Sequence, residues 1–326
     1  MIEDNIPWTE KYRPKNFNDI ISHTLIKEII IKLINCNNFH HLILYGPPGI
    51  GKTTLMNACL NYIYGEDYKL YVLELNGSDD RGITIVRDEI KNYANSNNIY
   101  NNVFKLIILD EVDSMTHDAQ NALKEIIETY EYNTKFCLIC NFINKIIYPL
   151  QSCCIMFRLP SILEDDMKKY ILNIVNKENL CYTKEGINTI VKLSNRDLRK
   201  SCNNLQSVYL SYDIINKNNV YDCLGIPKCS EINKLFINLK TQSLEKNIQY
   251  IKSLRIKKGY SLNELINYIS LKILEFKIDN NKLIDIIIFL SKIEYNISNL
   301  GTERIQIYSL VAVLYKFKDY YNISKN

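Results

Sequence analysis

Nothing in this sequence is built to cross a membrane. Its 326 residues hold no uninterrupted apolar run long enough to span a bilayer, and Met1-Ile2-Glu3-Asp4 does not open a signal peptide. A basic tail is also missing. The 40 Lys and Arg against 36 Asp and Glu leave a formal charge of +4, which allows a polyanionic partner without requiring one. The ten cysteines are scattered, and no second pair stands at zinc-site spacing from Cys137-Leu138-Ile139-Cys140. That segment reads as a strand, whose residues three apart face opposite ways, so it argues against a metal site. The expectation is an intracellular, soluble chain whose thiols, Cys59, Cys137 and Cys140 among them, are mostly core residues. What remains is ordinary globular composition, 47% hydrophobic and 23% charged, with room for two or three domains.

Against that background one stretch stands out. Gly46-Pro47-Pro48-Gly49-Ile50-Gly51-Lys52-Thr53 fits the phosphate loop G-x-x-x-x-G-K-[ST]. The apolar run His41–Tyr45 before it reads as a buried strand, and Thr54–Leu60 after it reads as a helix. The glycines let consecutive N–H groups turn inward toward phosphate oxygens, and the helix adds its N-terminal partial charge. Lys52 then reaches the β- and γ-phosphates, and the Thr53 hydroxyl binds Mg²⁺. About sixty residues further on, Phe104–Leu109 forms an apolar run that ends in Asp110-Glu111. An acid pair at the C-terminal edge of a strand beside a phosphate loop suits Mg²⁺ binding, by Asp110, and activation of water, by Glu111. Asp113 is either a further acid behind the pair or the N-cap of the next helix, and the cap is the better reading. Lys135–Cys140 is another buried strand. Asn141 at its end holds a γ-phosphate or a water, or else merely makes a turn.

Around these motifs the chain divides as follows. Pro7–Pro14 brackets Trp8 and Tyr12 between prolines and reads as an extended segment able to lie over a neighbouring domain and cover an adenine. A helix is expected over about 22–35, and another over about 83–94 carrying Arg87 and Lys91 one turn apart. Two such cations can track a phosphate backbone, but spacing alone favours a solvated face. Residues 163–224 read as all helical, Gly225-Ile226-Pro227 reads as a linker, and 231–321 is helical again without a phosphate loop or catalytic cluster. The cluster Arg255, Lys257 and Lys258 reads as solvated surface. The expected architecture is an α/β P-loop parallel-sheet domain at 1–160 followed by two all-α regions, 161–226 and 227–326.

Trp8–Pro14, Gly46–Thr53, Glu74–Gly82, Asp110–Thr116, Asp197-Leu198-Arg199 and Gly301–Gln306 occur in that order along nearly the whole chain. Together they resemble a small subunit of replication factor C, the clamp loader. The resemblance implies that 1–160 is an α/β P-loop NTPase (AAA+) domain, 161–226 an all-α lid and 227–326 an all-α collar, with ATP and Mg²⁺ as cofactors and a hetero-oligomeric ring of five replication factor C subunits. It also implies DNA-dependent ATPase activity that places a PCNA-type sliding clamp on primer–template DNA, in the nucleus if the source is eukaryotic. By motif it assigns Gly46 to Thr54 (Gly46, Pro47, Pro48, Gly49, Ile50, Gly51, Lys52, Thr53, Thr54) to ATP, and Thr53 and Asp110 to the metal. Asp110 and Glu111 become the Walker B pair, Asn141 sensor 1 and Arg199 sensor 2. Arg13 falls near the adenine, and Arg81, Arg87 and Lys91 face DNA. Only Cys59 lies where bacterial loader subunits carry zinc cysteines, which favours the eukaryotic or archaeal type. Two other readings stay open: a different AAA+ DNA motor of the branch-migration type, and a ring subunit that binds ATP as scaffold.

The chain departs from the pattern at three places. Family small subunits carry Ser-Arg-Cys where this chain has Ser152-Cys153-Cys154. That arginine is the finger reaching the next subunit's γ-phosphate, and cysteine has no fixed charge to replace it. Arg158 lies too far along to be an evident substitute. Ala122-Leu123-Lys124-Glu125 has an acid where a second basic residue is common, which weakens contact with phosphates through that helix. Asn195-Arg196 stands where a glycine is usual, which changes the turn.

Overall fold

Alternating apolar side chains in the strands supply both faces of a central sheet. In the computed structural model, residues 6–36, 39–65, 68, 71–78, 83–95, 104–299 and 301–321 are described, with backbone alone at 83–87. They form two units, Met1–Ile215 and Asn216–Asn326.

The first unit holds a five-stranded sheet: β1 (Leu42–Tyr45), β2 (Val72–Asn76), β3 (Lys105–Asp110), β4 (Thr134–Cys140) and β5 (Ile155–Arg158). The order is β2-β3-β4-β1-β5, and every pairing is parallel. Helices α1 (Trp8–Lys11), α2 (Thr24–Asn35), α3 (Lys52–Tyr64), α4 (Ile83–Asn95), α5 (His117–Thr129) and α6 (Tyr148–Ser152) precede or alternate with the strands. Residues of even and odd position on one strand enter different cores. Leu42, Leu44, Leu106, Ile108, Cys137 and Ile139 pack with Ile30 of α2 and Leu55 and Leu60 of α3. Ile43, Ile107, Leu109, Phe136, Leu138 and Cys140 pack with Leu123, Ile126 and Ile127 of α5. Cys137 and Cys140 thus face opposite ways, as the strand period requires. Each fully buried Leu or Ile adds about 1.5–3 kcal/mol by leaving water. The result is a three-layer α/β domain whose strand C-termini share one edge, where ligands of such sheets bind.

The rest of the first unit is α7 (Glu164–Lys177), α8 (Lys184–Leu193) and α9 (Leu198–Ser211). It is not purely helical as the sequence suggests. Two-residue strands β6 (Cys181–Tyr182) and β7 (Ile214–Ile215) pair in parallel, and the Thr183 N–H extends the pairing to the Ile215 carbonyl at 2.9 Å. Segments this short carry no readable period. The Pro7–Pro14 segment also differs from its extended reading, since it contains the helical turn α1. Pro7 stands at the N-cap, where a missing N–H costs nothing. Trp8 is buried and stacks on Tyr209 of α9 with centroids 5.2 Å apart, and its backbone N–H donates to Gln206 Oε1 at 3.0 Å.

The second unit is helical: α10 (Lys217–Leu224), α11 (Cys229–Thr241), α12 (Leu244–Lys258), α13 (Leu262–Glu275), α14 (Asn280–Ser298) and α15 (Glu303–Lys316). Gly225–Pro227, read as a linker, falls inside this unit. Its core includes Leu235, Ile251, Leu265, Ile269, Leu310 and Leu314, with Phe236, Phe276 and Tyr321 forming an aromatic trio. Arg255 pairs with Glu303 and Lys258 with Asp222, while Lys257 and Lys258 are exposed and Arg255 is half-exposed, which keeps this cluster at the surface. α14 keeps Ile284, Ile287, Ile288, Phe289 and Tyr295 exposed.

Candidate active site

The site begins where β1 ends. Gly51 is the N-cap of α3 and has no side chain to offer, so the first N–H groups of that helix stay uncapped. Its φ of 91° and the φ of 70° at Gly49 lie where L-residues are strained. Gly49 also has no space for a side chain, because a Cβ there would meet Asp197 Oδ1 at 1.9 Å. The loop and the start of α9 are therefore in intimate contact, and the Leu198 N–H donates to the Gly49 carbonyl at 2.9 Å.

Lys52 is the first residue of α3 and is buried, with 8% exposure. Its ammonium donates to the carbonyls of Gly46 (2.9 Å) and Pro47 (2.8 Å) and to Asn141 Oδ1 (2.7 Å). Burial pulls its pKa below the usual lysine range, and the Asp110 carboxylate opposes that shift. The next residue, Thr53, donates from Oγ1 to Asp110 Oδ2 at 2.7 Å. The other Asp110 oxygen accepts the Glu111 N–H at 2.8 Å. Glu111 sits at φ 55° with its side chain exposed. A desolvated ammonium ringed by acceptors and an uncapped helix start fit phosphate. A hydroxyl touching a carboxylate is a hard-oxygen pair that fits Mg²⁺. Thr53 and Asp110 are the residues that would hold the metal.

One pocket is lined by Arg13, Lys52, Thr53, Glu111, Asn141 and Arg199, and also by Pro48–Gly51, Thr54 and Asp110. Gly46 and Pro47 enter through their carbonyls on Lys52. Arg13 is ion-paired with Glu10 at 3.2 Å, and Arg199 is exposed at the start of α9. Among the expected DNA-facing residues, Lys91 is half-exposed on α4. Arg81 and the Arg87 side chain lie outside the described residues.

Residues 42–160 match the family model "ATPase family associated with various cellular activities (AAA)", and 227–313 match "Replication factor C C-terminal domain". The chain is 41% identical over 320 residues to probable replication factor C subunit 5 of Dictyostelium discoideum, covering 97% of this chain and 92% of that protein. The chain belongs to the replication factor C family. Replication factor C subunit 5 of Homo sapiens is 39% identical over 316 residues, covering 97% of this chain and 93% of that one. Replication factor C subunit 3 of Saccharomyces cerevisiae is 35% identical over 319 residues, covering 96% and 94%. Among solved structures, the RuvB Holliday junction branch migration motor of Thermotoga maritima matches with a TM-score of 0.54 at 16% identity, over 78% of this chain and 88% of that one. At that identity it shows the AAA fold alone. Among the described residues no helix is long and apolar enough to cross a membrane.

Set against the other replication factor C motifs, Asp113 needs correction. It does not cap α5. Thr116 does, accepting the Ala119 N–H at 3.3 Å. Asp113 Oδ2 instead accepts the N–H groups of Asn141 (3.3 Å) and Phe142 (3.2 Å). Sequence reasoning missed two further residues. His23 donates from Nε2 to the Ile50 carbonyl at 3.2 Å, supporting the loop from behind. Gln120, 1% exposed, donates to the carbonyls of Met115 (3.2 Å) and Lys145 (3.0 Å) and accepts the Ile147 N–H at 2.9 Å. A buried amide in an otherwise apolar helix face was the available signal. Cys153, at the C-cap of α6, is half-buried with Sγ 3.2 Å from the Pro149 carbonyl. Burial and neighbouring Glu128 hold its thiol up, toward the neutral form. Lys124, nearby, is paired with Glu128 at 2.6 Å.

Proposed function

We propose that this chain is a small subunit of a clamp loader: a DNA-dependent ATPase in a hetero-oligomeric ring that loads a PCNA-type clamp onto primer–template DNA. The observation that carries the reading is the convergence of Lys52, Thr53, Asp110 and Asn141, joined by hydrogen bonds from three separate elements. In this reading the uncapped start of α3 and Lys52 bind the ATP phosphates. Asn141 orients the γ-phosphate or the attacking water, and Glu111 polarises that water. Mg²⁺, when bound at Thr53 and Asp110, supplies charge neutralisation between the phosphates. Arg199 adds positive charge from the lid, and Arg13 lies beside the base. The exposed apolar face of α14 and the helical second unit suit subunit assembly.

The finger is the asymmetric part. Cys153 offers a neutral thiol where an arginine finger supplies roughly 10³–10⁵ in rate. The chain therefore hydrolyses its own ATP with a partner's arginine and donates none, which requires unlike partners. The test is ATP binding and turnover by the purified chain alone and after reconstitution with its co-purifying partners and clamp. Binding without fast turnover alone, and DNA-stimulated turnover in the complex, is the expected result. Fast turnover by the isolated chain overturns the finger assignment. Binding with no turnover in any assembly favours the scaffold reading. Cys153→Arg is expected to accelerate only the neighbouring subunit's site.

A further inference from the structure

β4 ends at Cys140, so the N–H groups of Asn141 and Phe142 lie past the strand hydrogen bonds and need another acceptor. Both find the same oxygen, Asp113 Oδ2, at 3.3 and 3.2 Å. The Asn141 side chain then faces Lys52, with its Oδ1 accepting from Nζ at 2.7 Å.

Asp113 itself is held firmly. It lies in a single 3-10 turn, Val112–Ser114, that follows directly on Glu111. The turn is closed by Ser114, whose N–H and Oγ–H both donate to the Glu111 carbonyl (2.9 and 2.7 Å), and by the Met115 N–H to the Val112 carbonyl (3.1 Å). Val112 is fully buried. The carboxylate is not used by α5, which Thr116 caps. Its bonds to the two amides connect the segment bearing Asp110 and Glu111 to the segment bearing Asn141.

We infer that Asp113 is a positioning residue: its carboxylate clamps the backbone that follows β4 so that the Asn141 amide is fixed on Lys52 at the phosphate end of the pocket. The inference rests on the nucleotide reading of that pocket. Charge-assisted hydrogen bonds to two successive N–H groups fix a short loop more tightly than one neutral bond. Without the acceptor, two amides lose their partner and Asn141 is free to leave the productive geometry. An error of about 1 Å in such a group costs on the order of a hundredfold in rate.

The experiment uses the full chain reconstituted with its partner subunits and compares Asp113→Ala, Asp113→Asn, Asn141→Ala, the double variant Asp113→Ala/Asn141→Ala and Lys52→Ala. Asp113→Ala is expected to lower kcat roughly tenfold to a hundredfold while the KM for ATP stays within about threefold. Asp113→Asn keeps an oxygen that can accept both N–H groups and is expected to recover most of that loss. The double variant is expected to turn over no more slowly than Asn141→Ala alone, because both changes remove the same alignment. A wild-type kcat for Asp113→Ala overturns the inference. So does an Asp113→Asn as slow as Asp113→Ala, which would mark a role for charge alone, or a full further loss in the Asn141→Ala background. Thermal melting separates a fold defect, and the isosteric Asp113→Asn keeps the question answerable if the alanine variant unfolds. Turnover unaffected by Lys52→Ala removes the nucleotide reading and this inference with it. Lys52-dependent turnover with an unaffected Asp113→Ala removes the inference alone.

Discussion

The two units bury different things. In the first, the interior admits Lys52, Lys105, His41 and Gln120. In the second, the buried polar side chains among the described residues are Asn238, Asn247 and Gln306, none of them charged. Burying an ammonium or an imidazole is expensive unless oxygens or amides are arranged around it, and such arrangements are what chemistry uses. The helical unit instead puts its sequence into interlocking aliphatic and aromatic contacts and leaves apolar side chains of α14 outside. One unit is organised around what it binds, the other around what it packs against.

The largest expected effect tests that division directly. Lys52→Ala removes the ammonium that donates to the Gly46 and Pro47 carbonyls and to Asn141, and turnover in the assembled complex is expected to fall on the order of a hundredfold or more. Leu310→Ala, at a fully buried position in the second unit, is expected to cost about 2–5 kcal/mol of that unit's stability. ATP binding by the chain is expected to stay intact. Fluorescent-nucleotide titration and urea melts report the two quantities separately. Should Leu310→Ala weaken ATP binding as much as Lys52→Ala, the division between a binding unit and a packing unit is wrong.

That division also governs how legible the sequence was. Gly46–Thr53, Asp110, Glu111 and Asn141 could be singled out because a phosphate-loop pattern and polar residues at strand ends are visible in the sequence, and the parallel sheet brings those ends to one edge. Asp113 could not be read correctly. An aspartate shortly before a helix looks like a cap, and only the folded chain shows the intervening 3-10 turn that hands capping to Thr116. The helical turn at Trp8–Lys11 was hidden by its flanking prolines, although proline at a helix start is no obstacle. β6 and β7 are too short to leave a pattern. The helices of the second unit were legible from their period, but which apolar side chains stay exposed on α14 was not.

A smaller contrast appears with acid. All four histidines, His23, His40, His41 and His117, lie in the first unit. His41 is buried, and its Nδ1 accepts the Phe136 N–H at 3.1 Å, which requires the neutral ring. Burial lowers its pKa to about 4, against about 6.5 when unfolded. The folded state therefore binds fewer protons than the unfolded one between these values. The His41 contribution is fully present above pH 6.5 and is lost as pH falls through about 4, a total of ~3 kcal/mol. The shift at His23, also downward from burial, acts in the same direction. Urea midpoints between pH 7 and 4.5 are expected to fall for the first unit, and His41→Gln is expected to flatten that slope. An equal slope in the histidine-free second unit would assign the effect to carboxylates instead.

The smallest expected effect concerns the turn that leads into α9. Asn195 and Arg196 have φ of 49° and 64°, the left-handed region, in succession. A β-carbon there costs roughly 1–2 kcal/mol per residue, which is why a glycine suits the position. The Arg196 side chain is exposed, so it buries little that could offset the strain. Arg196→Gly removes the clash but gives the unfolded chain more freedom, worth roughly 0.5–1 kcal/mol in the opposite sense. The balance is a gain of roughly 0.5–1 kcal/mol, visible as a small rise in the first unit's urea midpoint. The backbone conformation does not change, so Asp197 stays against Gly49 and Arg199 stays at the pocket, and nucleotide affinity is expected to be unaltered. A weakened affinity would mean that the strained turn itself sets where Arg199 stands. The binding unit would then extend past its buried polar groups into backbone that looks, by burial alone, like ordinary surface.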